Sequence, residues 1–284
     1  MTHPVNRSSL FCDVALAERI ERVEAQLIAE SSEAARRRRA DGTGFVIPVA
    51  GGIASFAEAD SPLNKVTGLG FTGLPTPADL DRIERAFAGC GAPVQVELAT
   101  LADPAIGDLF TGRGYRLVGY ENVLGRTLDR AVDRPAAPGI EVRPSGDDEL
   151  DTWLDLVADA VAHPDTQGVP THEEFPRDIV VNAVRDMAAA GVRRYAALRE
   201  GVIAGGASMR TAEGVAQLTG AATTPAHRRH GVQTALLAAR LAEATTAGSD
   251  IAVVTTQPGS KSHQNVQRQG FDLLYTRAVL VKHA

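Results

Sequence analysis

The stretch Thr219-Gly-Ala-Ala-Thr-Thr-Pro-Ala-His-Arg-Arg-His-Gly-Val-Gln-Thr-Ala-Leu-Leu-Ala-Ala-Arg240 decides how this chain is read. A strand breaks at Pro225, a basic turn follows, and a long alanine- and leucine-rich helix starts near Arg229. Such a turn aims unpaired backbone N–H groups and the positive end of a helix at one spot, which suits a pyrophosphate. Arg228, Arg229 and His230 add charge, and Gly231 lets the backbone approach a ligand with no Cβ in the way. An isolated R-x-x-G turn is more often a solvated strand-to-helix connection, so the surroundings carry the weight.

Downstream, Ile251–Thr255 reads as a strand, Lys261–Gln269 as a short helix stopped at Gly270, and Phe271–Leu274 and Arg277–Lys282 as closing strands. Upstream, Ile140–Arg143 is a short strand. A helix over Asp147–Val161 carries Leu150, Trp153, Leu154, Val157 and Val161 on one stripe, with Ser145 available as its cap. Pro176–Ala190 is a second helix ended by Gly191. Tyr195–Arg199 and Val202–Met209 form a hairpin around Glu200-Gly201, and Val215–Thr223 is the next strand. The long helix, Arg229–Thr246, is expected to bury Val232, Leu236, Ala239 and Ala242.

The sharpest shift in composition is Asp129–Gly139, with two prolines and a glycine between strand-like segments. It divides the chain into residues 1–130, a linker at 131–139, and residues 140–284. The first half reads as a helix over Ala15–Ala40, strands at Gly44–Val49, Ile53–Phe56 and Val66–Phe71, and a helix over Pro77–Ala88 with Thr76 as its N-cap. A strand at Val94–Leu98, a short helix at Pro104–Thr111, and strands at Tyr115–Val118 and Asn122–Leu128 complete it. Gly112-Arg-Gly-Tyr115 sits where Arg268-Gln-Gly-Phe271 sits in the second half, at an offset of 156 residues (270 − 114). The matching order of elements points to a degenerate internal duplication.

The stretch opening this section resembles the acetyl-CoA-binding motif of the GNAT acyltransferase superfamily, in which a strand ending near proline leads into Q/R-x-x-G-x-G/A at a helix start. Arg228, Gly231 and Gln233 stand on its three positions, Gln233 replacing the small residue usual there. Asn265-Val-Gln-Arg-Gln-Gly-Phe271 is similar to the family's late helix ending in G-F. The resemblance implies an α/β fold of two tandem GNAT-like domains, each a mixed, mostly antiparallel central sheet flanked by helices. It implies acetyl-CoA as co-substrate and no metal. In the family, Ala221, Ala222 and Thr223 would be splayed strand residues meeting the acetyl and pantetheine arm, Arg228, Arg229, His230, Gly231, Val232, Gln233 and Thr234 would surround the pyrophosphate, and Ser262 and Asn265 would pass the cofactor. Many members place a tyrosine four residues before the glycine of G-F to protonate the leaving thiolate; here that position is Val266. Tyr275 is the nearest phenol and the candidate acid, against the bland alternative of a buried structural tyrosine.

In the first half the equivalent turn reads Thr72-Gly-Leu-Pro-Thr-Pro-Ala-Asp-Leu-Asp-Arg82, whose Asp79 and Asp81 would repel a pyrophosphate. That half is read as a pseudo-domain without the cofactor site, shaping the acceptor cleft or the interface. His172-Glu-Glu-Phe-Pro176 is not a zinc-hydrolase helix, because Pro176 fills the second histidine position. His163, Asp165, His172, Glu173 and Glu174 are singly surface residues and as a group suit a cationic amine.

Composition narrows the classes further. Hydrophobic residues at 44% and charged residues at 23% are ordinary for a soluble globular chain, and no apolar run is long enough for a membrane span. A net charge of −6 argues against general nucleic-acid binding, and Arg36–Arg39 spreads around a helix rather than forming one stripe. Cys12 and Cys90 form no paired motif, and the start of the chain shows no secretory pattern, so a cytoplasmic protein is expected. The expectation is an acetyl-CoA-dependent N-acetyltransferase acting on a small-molecule or peptide amine by direct attack, without nucleic-acid or membrane partners and compatible with a homodimer. The alternatives are a tandem transferase with another acyl or aminoacyl donor and a non-catalytic CoA-binding sensor or interaction module.

Overall fold

The computed structural model describes residues 9–39, 41–128, 139–162, 169 and 174–283. The first half contains α1 (Val14–Arg39), β1 (Phe45–Val49), β2 (Gly52–Phe56), β3 (Lys65–Thr67), α2 (Pro77–Gly89), β4 (Val94–Ala99), α3 (Ala105–Gly112) and β5 (Arg116–Thr127). The second contains β6 (Ile140–Pro144), α4 (Leu150–Ala162), α5 (Arg177–Ala189), β7 (Arg193–Arg199), β8 (Val202–Ala212), β9 (Val215–Thr223), α6 (Val232–Thr246), β10 (Ile251–Thr256), α7 (Lys261–Arg268) and β11 (Asp272–Lys282). Most expected elements are present within one or two residues of their reading. Of the linker expected at 131–139, only Gly139 falls among the described residues.

The strands form one sheet in the order β1-β2-β3-β4-β11-β5-β10-β9-β8-β7-β6. The last strand of each half therefore sits inside the other: β11 lies between β4 and β5, and β5 between β11 and β10. The two short strands expected at each end are single long strands, since each must pair on both sides across the junction. At the centre, Arg277 lies directly opposite Glu121, its counterpart at the same offset (277 − 121 = 156). The offset also holds for α3 and α7, whose bounds differ by 156 at both ends. The chain leaves these two helices alike: Tyr115 N–H donates to the Phe110 carbonyl, and Phe271 N–H to that of Val266, both at 3.1 Å. Gly114 and Gly270 carry φ of 87° and 83°, a left-handed stop that glycine adopts without strain.

Successive residues on a strand point to opposite faces, which fixes the layers. A Cβ on Gly205 would meet Val232 and Leu236 of α6, whereas one on Gly206 would meet Trp153 of α4. Ser55 hydrogen-bonds Ser32 of α1, while its neighbour Phe56 packs edge-on against Phe87 of α2. Helices α1, α4 and α5 thus cover one face, and α2 and α6 the other. The α6 stripe is rotated from its expected position: Ala235, Leu236, Arg240 and Ala244 are buried and Ala242 is exposed. The expected Ser145 cap is also corrected. A 3-10 turn over Asp147–Glu149, with Gly146 at its N-cap, precedes α4, and the Ser145 hydroxyl bonds Glu149 instead.

The junction face beneath α1 buries charge as well as apolar residues. Arg277 donates through Nε to Glu21 Oε1 (2.7 Å), its NH1 lies 3.7 Å from both Glu97 and Glu121, and Lys65 also binds Glu97. Breaking such a pair strands a charge in low dielectric and costs about 3–5 kcal/mol. This is the chemical lock between the halves.

Candidate functional site

Strands β9 and β10 run parallel and pair only at Val215 with Ile251, Ala216 with Ala252, and Gln217 with Val253. Beyond that point β9 keeps its other partner β8 as far as Thr223, but has no partner on the β10 side. The strands splay, and backbone groups of Leu218–Thr223 line the gap. Ala221, Ala222 and Thr223, singled out from the sequence, all lie on this splayed segment.

After β9 a 3-10 turn, Pro225–His227, leads into the loop. The helix expected from Arg229 starts three residues later, at Val232, because Arg229 (φ 66°) and the N-cap Gly231 (φ 85°) both adopt left-handed backbone conformations. No side chain caps α6. The first intrahelical bond of its N-terminal turn is Ala235 N–H to the Gly231 carbonyl, so the donors of Val232, Gln233 and Thr234 face the loop mouth. Arg229 and His230 are exposed there, and Arg228 is half-buried. Asn265 is half-buried and Ser262 exposed on α7, which follows β10.

Four further polar atoms at this end are buried without a partner: Thr223 Oγ1, Thr256 Oγ1, His227 Nδ1 and His263 Nε2. Thr223 and Thr256 end β9 and β10, His227 lies in the turn after β9, and His263 in the first turn of α7. His263 Nδ1 accepts from Gly259 N–H at 3.2 Å, which leaves Nε2 as the protonated nitrogen. Buried polar groups are normally satisfied, so this set fits a polar ligand drawn through the splay. Sequence reading missed Thr256, His227 and His263 because no motif spacing marks them. It also missed Arg240, buried on α6, whose guanidinium donates to the carbonyls of Ser208 (3.0 Å) and Gly220 (3.1 Å). These bonds hold the bulge where β8 and β9 shift register, and burial pulls the Arg240 pKa down to about 10.

The first half shows the same parts closed. Val66 and Val96, the counterparts of Ala222 and Ala252 (each + 156), form the one register pair of β3 with β4. The α2 N-terminus is sealed by a capping box: Asp79 N–H donates to Thr76 Oγ1 (3.2 Å), and Thr76 N–H to the Asp79 carboxylate (3.0 Å). Gly70 takes the N–H of Asp103 at 2.8 Å, drawing the chain across the remaining gap.

Tyr275, the expected acid, is placed elsewhere. It is 4% exposed among Cys12, Ala17, Ile20 and Val123 under α1, and its hydroxyl donates to Glu21 Oε1 at 2.7 Å. Burial raises its pKa well above the ordinary phenol range, with the Glu21 charge adding to the effect. A phenol so placed has its hydroxyl committed to Glu21, which favours the structural alternative. Tyr275→Phe is accordingly expected to lower unfolding stability by about 1.5–3 kcal/mol, the value of a hydrogen bond to a charged group. Chemical denaturation and steady-state kinetics of the same variant check this: a tenfold loss of kcat at unchanged stability would restore the catalytic role. Of the polar group expected beside the acceptor, His163, Asp165, His172 and Glu173 lie outside the described residues, and Glu174 is exposed.

An open parallel splay leading to an uncapped helix start, in a sheet built twice over, defines an acyl-CoA transferase type of fold. Residues 141–261 match the family model of the acetyltransferase (GNAT) domain. That stretch is similar to a GNAT domain, and the whole chain has the tandem GNAT fold. A GCN5-related N-acetyltransferase from Kribbella flavida is similar over 95% of this chain and 96% of its own, at 20% identity and a TM-score of 0.66. A tandem GNAT protein from the clavulanic acid biosynthesis pathway is similar over 95% and 96%, at 13% identity and a TM-score of 0.60. A functionally unknown conserved protein from Staphylococcus epidermidis ATCC 12228 is similar over 78% and 84%, at 11% identity and a TM-score of 0.54. At these identities the likeness is one of fold. Among curated proteins none matches. No helix among the described residues is long and apolar enough to cross a membrane.

Proposed function

We propose that the chain transfers an acetyl group from acetyl-CoA to a primary amine by direct attack, using one cofactor site, in the second half. The observation that carries this reading is the contrast between the uncapped α6 start beside the splay of β9 and β10 and the start of α2, which a capping box closes. The α6 N–H groups, with Arg229 and His230, offer the pyrophosphate positive charge. The splayed β9 backbone offers hydrogen bonds to the pantetheine amides and to the developing oxyanion. The amine nitrogen forms the new C–N bond as the C–S bond breaks. The electron pair leaves with sulfur, and the nitrogen's proton passes to solvent. A thiol of pKa near 8.5 leaves tolerably as thiolate at neutral pH, so no phenol is required.

Residues 1–130 and 140–284 are read as two copies of one unit, the first having given up its cofactor site. Titration calorimetry with acetyl-CoA tests the reading and is expected to give one site per chain. Two equivalent sites would overturn it. Acetyl transfer to amines separates a transferase from a CoA-binding sensor, for which binding without turnover is expected.

A further inference from the structure

Helix α5 rests chiefly on α1 and α4. Arg38 of α1 grips it with two prongs, Nε to Asp186 Oδ1 and Nη2 to Asp186 Oδ2, both at 2.9 Å, and Ala183 and Met187 join Ile28 and Ala35 in one apolar cluster. Asp186 is 2% exposed, so breaking this bond would strand a carboxylate in low dielectric. The first half thereby fixes where α5 sits. Between α5 and the sheet a cavity of about 310 Å³ stays open, walled by Trp153, Val157, Val180, Val184 and Met187. The helix that precedes the first half's hairpin, α1, instead lies directly on its strands: Ser32 bonds Ser55, and a Cβ built on Gly68 would come within 3.1 Å of Ala25.

The floor of this cavity includes Gly220, Ala221 and Ala222, the splayed residues along which the proposed CoA site lays the thioester. Gly220 and Ala221 are exposed, and a Cβ built on Gly220 would meet nothing closer than Ser208 Oγ at 3.5 Å. Small residues thus leave the way from the splay into the cavity open. Their counterparts in the first half, 156 positions earlier, are the larger Asn64, Lys65 and Val66. On its far side the cavity reaches Val192 and Arg194, at the start of β7. Because β8 lies between β9 and β7, two strand spacings put that side about 10 Å from β9, well beyond the reach of an acetyl methyl. The hydroxyls of Ser208 and Thr219 bond each other at 2.8 Å, and Arg194 Nη2 turns to Asp147 and the Gly146 carbonyl, while its buried Nε has no partner.

We propose that the donor site takes straight-chain acyl groups longer than acetyl, with the thioester on β9 and the apolar chain in the cavity beneath α5. Acetyl-CoA is then the smallest of its donors. This rests on the CoA site proposed above for the second half.

The test is calorimetric titration of the full chain with acetyl-, hexanoyl- and adipoyl-CoA, which needs no acceptor. Each methylene moved from water to an apolar wall favours binding by up to about fourfold, so hexanoyl-CoA is expected to bind at least about tenfold more tightly than acetyl-CoA. Adipoyl-CoA has the same length with a terminal carboxylate and should gain less. Trp153 is the only tryptophan in the chain, so hexanoyl-CoA, and not acetyl-CoA, should shift its fluorescence. Val184→Phe and Val180→Phe, which fill the cavity, should each cut the gain from the longer chain to below about threefold while acetyl-CoA affinity stays within about twofold. Equal affinity for acetyl- and hexanoyl-CoA, an unmoved Trp153 signal, or a gain that both variants keep overturns the proposal. Tighter binding of adipoyl- than hexanoyl-CoA also overturns it, since the Arg194 end would then take an anion. Failure of every acyl-CoA to bind overturns the CoA site itself, whereas acetyl-CoA binding without the gain overturns this inference alone.

Discussion

The double variant Gly231→Asp, Arg229→Glu is expected to weaken CoA binding at least about 100-fold, read by calorimetry, with unfolding stability lowered by only about 1–2 kcal/mol from the left-handed backbone at 231. Gly231 holds φ at 85°, where a Cβ is strained, and stands at the N-cap of a helix with no side-chain cap. Aspartate there would itself accept from the first-turn N–H groups and place a negative charge at the positive helix end. That is the arrangement α2 already has through Thr76 and Asp79, so the variant would convert the second half to the state of the first. Glutamate at exposed position 229 removes a cation and adds repulsion. Chemical denaturation of the variant separates lost binding from unfolding. Binding that survives both changes would remove the pyrophosphate site from this loop.

Residues 140–284 expressed alone are expected to be insoluble or to form strand-exchanged dimers, and as monomers to lack activity. The fragment keeps β10 and β11 but loses β5, which lies between them and pairs with both, and β4, which pairs with the far edge of β11. Two strand edges would open in the middle of a sheet, a setting that favours association. It also loses α1, uncovering Val215, Ile251, Val253 and Tyr275 and stranding Arg277 without Glu21 and Glu97. Light scattering and acetyl transfer of the fragment are the measurements. A soluble, fully active monomer would show that the exchanged strand and α1 are dispensable. In a dimer, the β11 of one copy would take the place of β5 in the other, since Arg277 and Glu121 already occupy matching positions about the central strand pair.

Much of this protein was legible from local pattern. The helix over α2 follows from Thr76, Pro77 and Asp79, whose capping chemistry acts within one turn. The tight turn at Glu200-Gly201 follows from two positions with φ of 55° and 78°. The loop from Arg228 to Thr234 could be singled out because the helix start, its charge and its glycine are neighbours in sequence, and the G-aromatic stops at Gly114 and Gly270 revealed the duplication for the same reason. Sequence also shows that Asp79 opposes a phosphate in the first half.

Other decisions depended on residues far apart in the chain. Whether β9 and β10 stay zipped or splay is a matter of register, and nothing local to Ala221–Thr223 specifies it. Alternating patterns say which residues share a face but not which strand lies alongside. The exchange of β5 and β11 was therefore invisible, and each was divided at residues that the partner strand holds in continuous register. Tyr275 was nearest to the late helix in sequence, yet β11 carries it under α1 to Glu21, 254 positions away, where burial and a committed hydroxyl give it a structural role. The bond from Gln217 Nε2 to Glu24, 193 positions earlier and 3.0 Å away, likewise joins α1 to β9 across a separation that has no period for a sequence to display.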